Sequence, residues 1–418
     1  MCWISVNPLL ADHGAKHQSK SRFMQYDQLL MAGYQGWFRT PGDPSGENWW
    51  IHYGKNGFFD TEHCTIDLWP DVSEYKKTYD TPFYFKNGEQ VKVFSSVDKS
   101  TLNLHFQWMK DYQIDGAFMQ RFYVNRYIPG TKNTMTKVLE NGMQAAQKHE
   151  RAWAVMYDLS GMNASNTDCQ DIIDDWKYLI DSMRITRQGK KQTYLYDQGK
   201  PVVAIWGLGF KERPYDTFKI QIETLLDFLQ HDPEYGGCAV MVGVPTYWRT
   251  LKNDCITEPK FLEVMKRVDV IMPWMVGRFD NHPYALERYK KIVAEDQAWC
   301  DTHQIKYVPV TYPGFSNHNL SLFERGEEDS FPVNMIKREE GLFFQQLLQA
   351  NIDAKASNIY VAMFDEIDEG TAIFKCINRK PAGPLGFSTY EGMPSDTYLK
   401  IAGDYAQKLK RVKKRPSK

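Results

Sequence analysis

The sequence predicts a single (β/α)8 barrel, a TIM barrel with a long ordered insertion after its first strand. Three observations predict it. Eight apolar strand candidates occur in one pass along the 418 residues, each followed by a helical stretch. No G-x-G-x-x-G follows any of them, which weighs against the main competitor, a doubly wound open sheet. Polar and aromatic side chains gather at the carboxyl ends of the strands, where barrels of this kind carry their chemistry.

The strands are read over Met31–Phe38, Asp115–Phe122, Trp153–Leu159, Pro201–Gly207, Ala239–Val244, Val270–Trp274, Tyr307–Tyr312 and Ile359–Glu366. Each is a short apolar run of the kind buried on both faces of a parallel sheet. Helices are read over Lys99–Asp111, Asn133–Glu150, Asp168–Met183, Asp216–Gln230, Glu258–Arg267, Tyr284–His303, Gly341–Ala354 and Thr397–Arg411. In the fourth, Phe218, Ile222, Leu225 and Leu229 fall on one face. Residues 39–98 are too many for an ordinary strand–helix loop, and they include a strand-like Phe83–Phe85 and the turn pair Asn87-Gly88. They are read as an excursion over the barrel mouth. Residues 1–30 are taken as an N-terminal extension, 31–412 as the catalytic barrel and 413–418 as a basic tail.

A formal net charge of −1 argues against nucleic acid or an anionic membrane as partner. No run of 18 apolar residues is present, and Met1 to Lys20 lacks the apolar core of a complete signal peptide. The expectation is a cytoplasmic protein, or a periplasmic or extracellular one if the precursor begins upstream. Seven scattered cysteines with no zinc spacing read as reduced. Aromatic residues reach 14%, with 12 Trp and 24 Tyr. That excess suits either a large aromatic core or a sugar cleft, where flat rings stack on pyranoside C–H faces.

The stretch with most chemistry is Val361 to Thr371, an apolar strand running into Asp365, Glu366, Asp368 and Glu369 before Gly370. Glycosidic cleavage needs one carboxyl that keeps its proton and one ionised partner, and acids crowded in a cleft can divide those roles. Glu366 and Glu369 are the candidate catalytic pair. An acidic loop in solvent, or an oxygen-ligand site for calcium or magnesium, remains open. Four such acids cannot all converge if alternate strand residues point to opposite sides, so Asp365 is expected to turn away, onto Arg338 or another base. No metal or cofactor is therefore expected, and activity should survive exhaustive chelation. Loss in chelator, restored by calcium or magnesium alone, would instead mark an ion site. The other strand ends, with His52 from the insertion, supply substrate-binding candidates: Tyr34, Trp37, His52, Gln120, Arg121, Tyr157, Asp158, Trp206, Tyr247, Trp274 and Tyr312.

These residues resemble glycoside hydrolase families 71 and 99, a clan of retaining α-glycosidases. Phe364-Asp365-Glu366-Ile367-Asp368-Glu369-Gly370 is similar to the F-N-E-W-H-E-G of family 99 endo-α-mannosidases. Gly46–Tyr53 resembles the family's G-x-x-x-H-W element, 308–315 its I-P-S-V-G-P-G-Y strand, and Arg338-Glu339-Glu340-Gly341 its R-T-D-G turn. The resemblance implies a (β/α)8 barrel and hydrolysis through a 1,2-anhydro sugar. Glu366 would act as base on the sugar's own 2-hydroxyl, and Glu369 as acid and then base. The chain departs from the pattern at two places. The family's F-H-L-E-P-Y is Met156-Tyr157-Asp158-Leu159-Ser160-Gly161 here, and its tryptophan pair is replaced by Gln120-Arg121-Phe122-Tyr123. The reading is a glycosidase for α-linked, mannan-like glycans, with an oligo- or polysaccharide as partner. The same chemistry on an α-glucan, arabinoside or xyloside, or an inactive carbohydrate-binding barrel, stands as the alternative. The sequence is silent on oligomeric state.

Overall fold

The computed structural model describes residues 15–18, 20–127, 131–164 and 168–411. The proposed tail at 413–418 and the first part of the N-terminal extension lie outside them. The elements, in chain order, begin with β1 (Leu30–Tyr34), the hairpin β2 (Tyr79–Tyr84) and β3 (Gln90–Val93), α1 (Lys99–Asp111), β4 (Gly116–Phe122), α2 (Thr131–His149) and β5 (Ala152–Asp158). Then come α3 (Gln170–Asp181), β6 (Tyr196–Asp197), β7 (Lys200–Trp206), α4 (Ile222–His231), β8 (Ala239–Val244), α5 (Lys260–Met265) and β9 (Val270–Pro273). The chain continues with α6 (Pro283–His303), β10 (Lys306–Tyr307), β11 (Val310–Thr311), α7 (His318–Arg325), α8 (Leu342–Asp353), β12 (Ile359–Val361) and α9 (Thr397–Arg411).

The parallel strands form one sheet in the order β10-β9-β8-β7-β5-β4-β1-β12-β11. Its two ends are one stretch of chain. β10 pairs with β9 and β11 with β12, and only Val308 and Pro309 separate them. Val308 N still donates to Ile271 O at 2.9 Å, while Tyr360 N donates to Pro309 O at 3.0 Å. The sheet therefore closes on itself as an eight-stranded (β/α)8 barrel. The seventh strand was read as continuous over Tyr307–Tyr312. It splits at Pro309, which has no N–H to give to a ladder.

Other boundaries moved for equally local reasons. The first strand stops at Tyr34, not Phe38, because Gly36 takes φ +64°, a left-handed turn that glycine adopts without a Cβ penalty. The fourth helix begins at Ile222, not Asp216. The Asp216 carboxylate accepts the amides of Phe218 and Lys219, holding them in a turn, and Gln221 sits at φ +63°. Helix α7, which the sequence reading lacked, is short and keeps only Asn319 and Ser321 buried, so its apolar period is weak.

Every strand of the barrel wall is built almost wholly from buried residues, as expected for a parallel sheet covered on both faces. Residues 39–98 contain the β2–β3 hairpin, with its turn at Asn87-Gly88, where Gly88 N donates to Phe85 O at 2.9 Å. The insertion is tied to the segment after β12. Asp67 N and Leu68 N donate to Ile367 O, and Pro70 bridges to Cys376. Six cysteines, Cys64, Cys169, Cys238, Cys255, Cys300 and Cys376, are free and buried. No helix among the described residues is long and apolar enough to cross a membrane.

Candidate active site

A cleft of about 400 Å³ opens at the carboxyl ends of the strands, lined by Gln35, Trp37, His52, Gln120, Asp158, Trp206, Arg213, Trp274, Glu366 and Glu369 among others. That size suits one or two sugar rings. Strand pleat decides which neighbours reach it. Gln120 at the end of β4 faces the cleft, and so Arg121 faces the helix layer, where it pairs with Asp175 of α3. On β5, Asp158 faces in and Tyr157 faces out, donating to the same Asp175 at 3.0 Å. Just past β1, Gln35 faces the cleft, while Tyr34 at its end is fully buried, 2.8 Å from His105 of α1.

Eight of the thirteen predicted site residues therefore share the cleft: Trp37, His52, Gln120, Asp158, Trp206, Trp274, Glu366 and Glu369. Five do not. Tyr34, Arg121 and Tyr157 point into the helix layer. Tyr312 is buried, its hydroxyl donating to Phe279 O and its ring packed on Phe343 of α8. Tyr247 lies in a separate cavity with Arg249 and Asp296. Missing from the prediction were Gln35, Phe122, Val124, Asn125, Ser160, Arg213 and Met363. Alternation along β4 from Gln120 would have found Phe122, two residues on, whereas nothing in sequence marks Arg213, which reads as one more surface charge beside Glu212.

The acids are arranged one by one. Asp365 turns away from the cleft, as expected, but not onto Arg338. It accepts the backbone amides of Gln35 at 2.8 Å and Gly36 at 2.9 Å, locking the end of β1 to the end of β12. Arg338 instead donates to the carbonyls of Gly370 at 2.7 Å and Ala372 at 2.9 Å, bracing the loop that carries Glu369. Glu366, only 3% exposed, accepts from Gln35 Nε2 on one oxygen and from Thr371 Oγ1 at 2.7 Å on the other. Two donors aimed at its two oxygens favour the ionised form. Burial, and then the charges of Glu369 and Asp368, push its pKa well above the usual carboxylate range. Burial and Asp368 raise Glu369 to about 7, against the pull of Arg213 and Arg278. The three carboxyls titrate as one coupled cluster, so near neutral pH the cleft holds at least one proton that can be given away.

Aromatic rings build one wall. His52 stacks on Trp37, with centroids 3.7 Å apart and planes 3° from parallel, and Trp37 stacks in turn on Phe122. Burial keeps His52 well below its ordinary pKa, so the ring is neutral, and its Nδ1 lies 3.2 Å from Asp368 Oδ2. Trp206 and Trp274 meet edge to face at 5.3 Å on the opposite wall. Gln35 Oε1, Trp37 Nε1, Gln120 Oε1 and Trp206 Nε1 are buried without a hydrogen-bond partner. Unsatisfied donors and acceptors beside flat rings are what a polyhydroxylated ligand would satisfy. Among the described residues, no group of three or more His, Cys, Asp or Glu is placed to hold a metal ion.

The fold and this cleft together define a (β/α)8 barrel with a carboxylate pair and aromatic walls at its carboxyl face. No family model matches the sequence, and no curated protein sequence matches it. Among solved structures, the GH99 endo-α-mannosidase of Bacteroides thetaiotaomicron, in complex with bis-tris-propane, is similar at a TM-score of 0.62 and 14% identity, over 92% of this chain and 98% of that one. A second structure of the GH99 endo-α-mannosidase from the same organism matches at a TM-score of 0.60 and 15% identity, with the same coverage. The family 99 likeness read from scattered motifs is thus present in the fold across nearly the whole chain.

A pH prediction follows from Glu369. Its folded-state pKa is raised from 4.5 to about 7, so the folded protein keeps a proton that the unfolded chain has released. Stability from this group is fully present below about pH 4.5 and is lost as pH rises through about 7. At about 1.4 kcal/mol per pKa unit the loss is at most about 3.5 kcal/mol, and less because Glu369 is partly open to the cleft. Glu369→Gln should therefore gain stability relative to wild type between pH 5 and pH 8. The two thermal midpoints measured across that range must diverge; parallel curves would mean Glu369 is not held protonated.

Proposed function

We propose that the protein is a retaining glycoside hydrolase for α-linked glycans, a divergent relative of family 99. The observation that carries the reading is the placement of Glu366 and Glu369, from the segment that follows β12, in a cleft walled by Trp37, Trp206 and Trp274. When the proton shared by the cluster sits on Glu369, the Glu366 carboxylate, held as an acceptor by Gln35 and Thr371, takes the proton of the sugar's 2-hydroxyl. That oxygen attacks the anomeric carbon while Glu369 gives its proton to the departing glycosidic oxygen. Glu369, now ionised, removes a proton from water, which opens the 1,2-anhydro ring. Two inversions give net retention. An α-mannoside suits this scheme because its 2-hydroxyl lies trans to the leaving group. Gln120 and Asp158 stand where the family has other residues, so the sugar itself is the variable.

The test is a digest of a panel of α-mannans, α-glucans, arabinans and xylo-oligosaccharides, with product masses and the anomer of the first-formed product read by NMR. Release of a product with retained configuration supports the proposal. An inverted product, or no hydrolysis anywhere in the panel, overturns it.

A further inference from the structure

We infer that the cleft is built for a glycan that bears an anionic group, a uronic acid carboxylate or a sulfate ester, seated on Arg213 at the Trp206 wall. The inference rests on the glycosidase reading and specifies its substrate class.

Arg213 lies in the loop after β7 and lines the cleft. Its guanidinium sits 4.8 Å from the centre of the Trp206 ring, and one nitrogen donates to Ser160 Oγ at 3.2 Å. Its Nε is buried without a partner. No carboxylate of the described residues lies within ion-pair distance of it, whereas two arginines of the same region, Arg278 and Arg249, are matched. Arg278 pairs with Asp254 at 3.1 Å and with Glu212 at 3.6 Å, and Arg249 pairs with Asp296 and Glu295. Asp158 is near, but its Oδ1 accepts the Ser160 amide at 2.7 Å and not the guanidinium. Arg213 is thus a cation in a sugar-sized cleft, backed by an aromatic ring, with donor capacity unused. A planar fork of this kind matches carboxylate or sulfate oxygens in pairs.

The loop is held in place without help from a ligand. Lys211 N donates to Asp254 O at 3.0 Å, Ile256 N to Gly209 O at 2.9 Å, and Phe210 bridges to Cys255. Pre-ordering of this kind lowers the entropic cost of engaging an anion. The cleft also carries Asp158, Glu366 and Glu369, and among the described residues that line it Arg213 is the one lysine or arginine, so an anion has one favourable seat. An anion on Arg213 would also offset the cation that now draws Glu369 downward, leaving the acid more firmly protonated.

The test uses the full chain carrying Glu366→Gln, so that binding is read without turnover. Calorimetry measures affinity for matched pairs of oligosaccharides: hexuronic against neutral, and sulfated against unsulfated. The expected result is at least about tenfold tighter binding of one acidic member, since a charge-assisted bidentate pair contributes about that much. Adding Arg213→Gln should collapse the acidic-to-neutral ratio toward one, and Arg213→Lys should restore part of it, with thermal midpoints confirming folding. The uronate and sulfate arms identify which anion is preferred. A neutral member bound as tightly as its acidic partner, or a ratio unmoved by Arg213→Gln, overturns the inference while leaving the glycosidase reading intact. Failure of every oligosaccharide to bind would overturn both.

Discussion

Glu366→Gln is expected to abolish turnover of every substrate, activated or not, with the fold intact. The glutamine is nearly isosteric and keeps an oxygen for the Thr371 hydroxyl, but it cannot take a proton from the sugar. Glu369→Gln should lose about 10²–10⁴-fold on a glycoside with a poor leaving group, the range typical of a general acid. On an aryl glycoside whose leaving group needs no proton, the first step should recover in Glu369→Gln and not in Glu366→Gln. Kinetics of both variants on a substrate series of falling leaving-group pKa check this. Should both retain more than about a tenth of wild-type activity, the pair is not the catalytic machinery.

The second large effect is expected at Arg338, which touches no substrate. Its side chain is buried, 2% exposed, with the guanidinium 4.4 Å from the ring centre of Tyr398 and 4.8 Å from that of Tyr390. Its two hydrogen bonds hold the Gly370 and Ala372 carbonyls, on the loop that follows Glu369. Arg338→Met removes both charge-assisted bonds and leaves buried acceptors unpaired, a loss partly offset because a buried cation no longer needs desolvating. The net expectation is a loss of about 2–4 kcal/mol of stability by urea unfolding, and a fall in kcat larger than any rise in KM, since Glu369 is left less well positioned. Arg338→Lys, a point charge able to reach one carbonyl, should recover part of both. Wild-type stability in the methionine variant would show that the guanidinium does not brace the loop.

Much of this protein was legible as sequence because the relevant physics is local. Apolar runs and helical periods placed all eight barrel strands, and α1 and α9 to the residue. Asp365 does turn away from the cleft, but β12 ends at Val361 and not at Glu366, so an irregular stretch and not strand alternation separates the two carboxyls. The partner for Asp365 was not local: two backbone amides 330 and 329 residues away in sequence, brought near by closure of the barrel between β1 and β12. Tyr34, Arg121, Tyr157 and Tyr312 were misplaced because a strand end offers neighbouring residues, and only tertiary packing shows which one the barrel turns inward. Arg213 was invisible for a different reason. In sequence it is a charge among charges; in the fold, Arg278 takes its neighbour Glu212, and Trp206 and Ser160 receive Arg213 at the cleft wall. Sequence determined which strands form and that a run of acids follows the last of them, since backbone geometry and side-chain period act over a few residues. Which side chains share the cleft was decided only when the sheet closed, because that brings together residues from six strands and an insertion whose mutual distances no local rule sets.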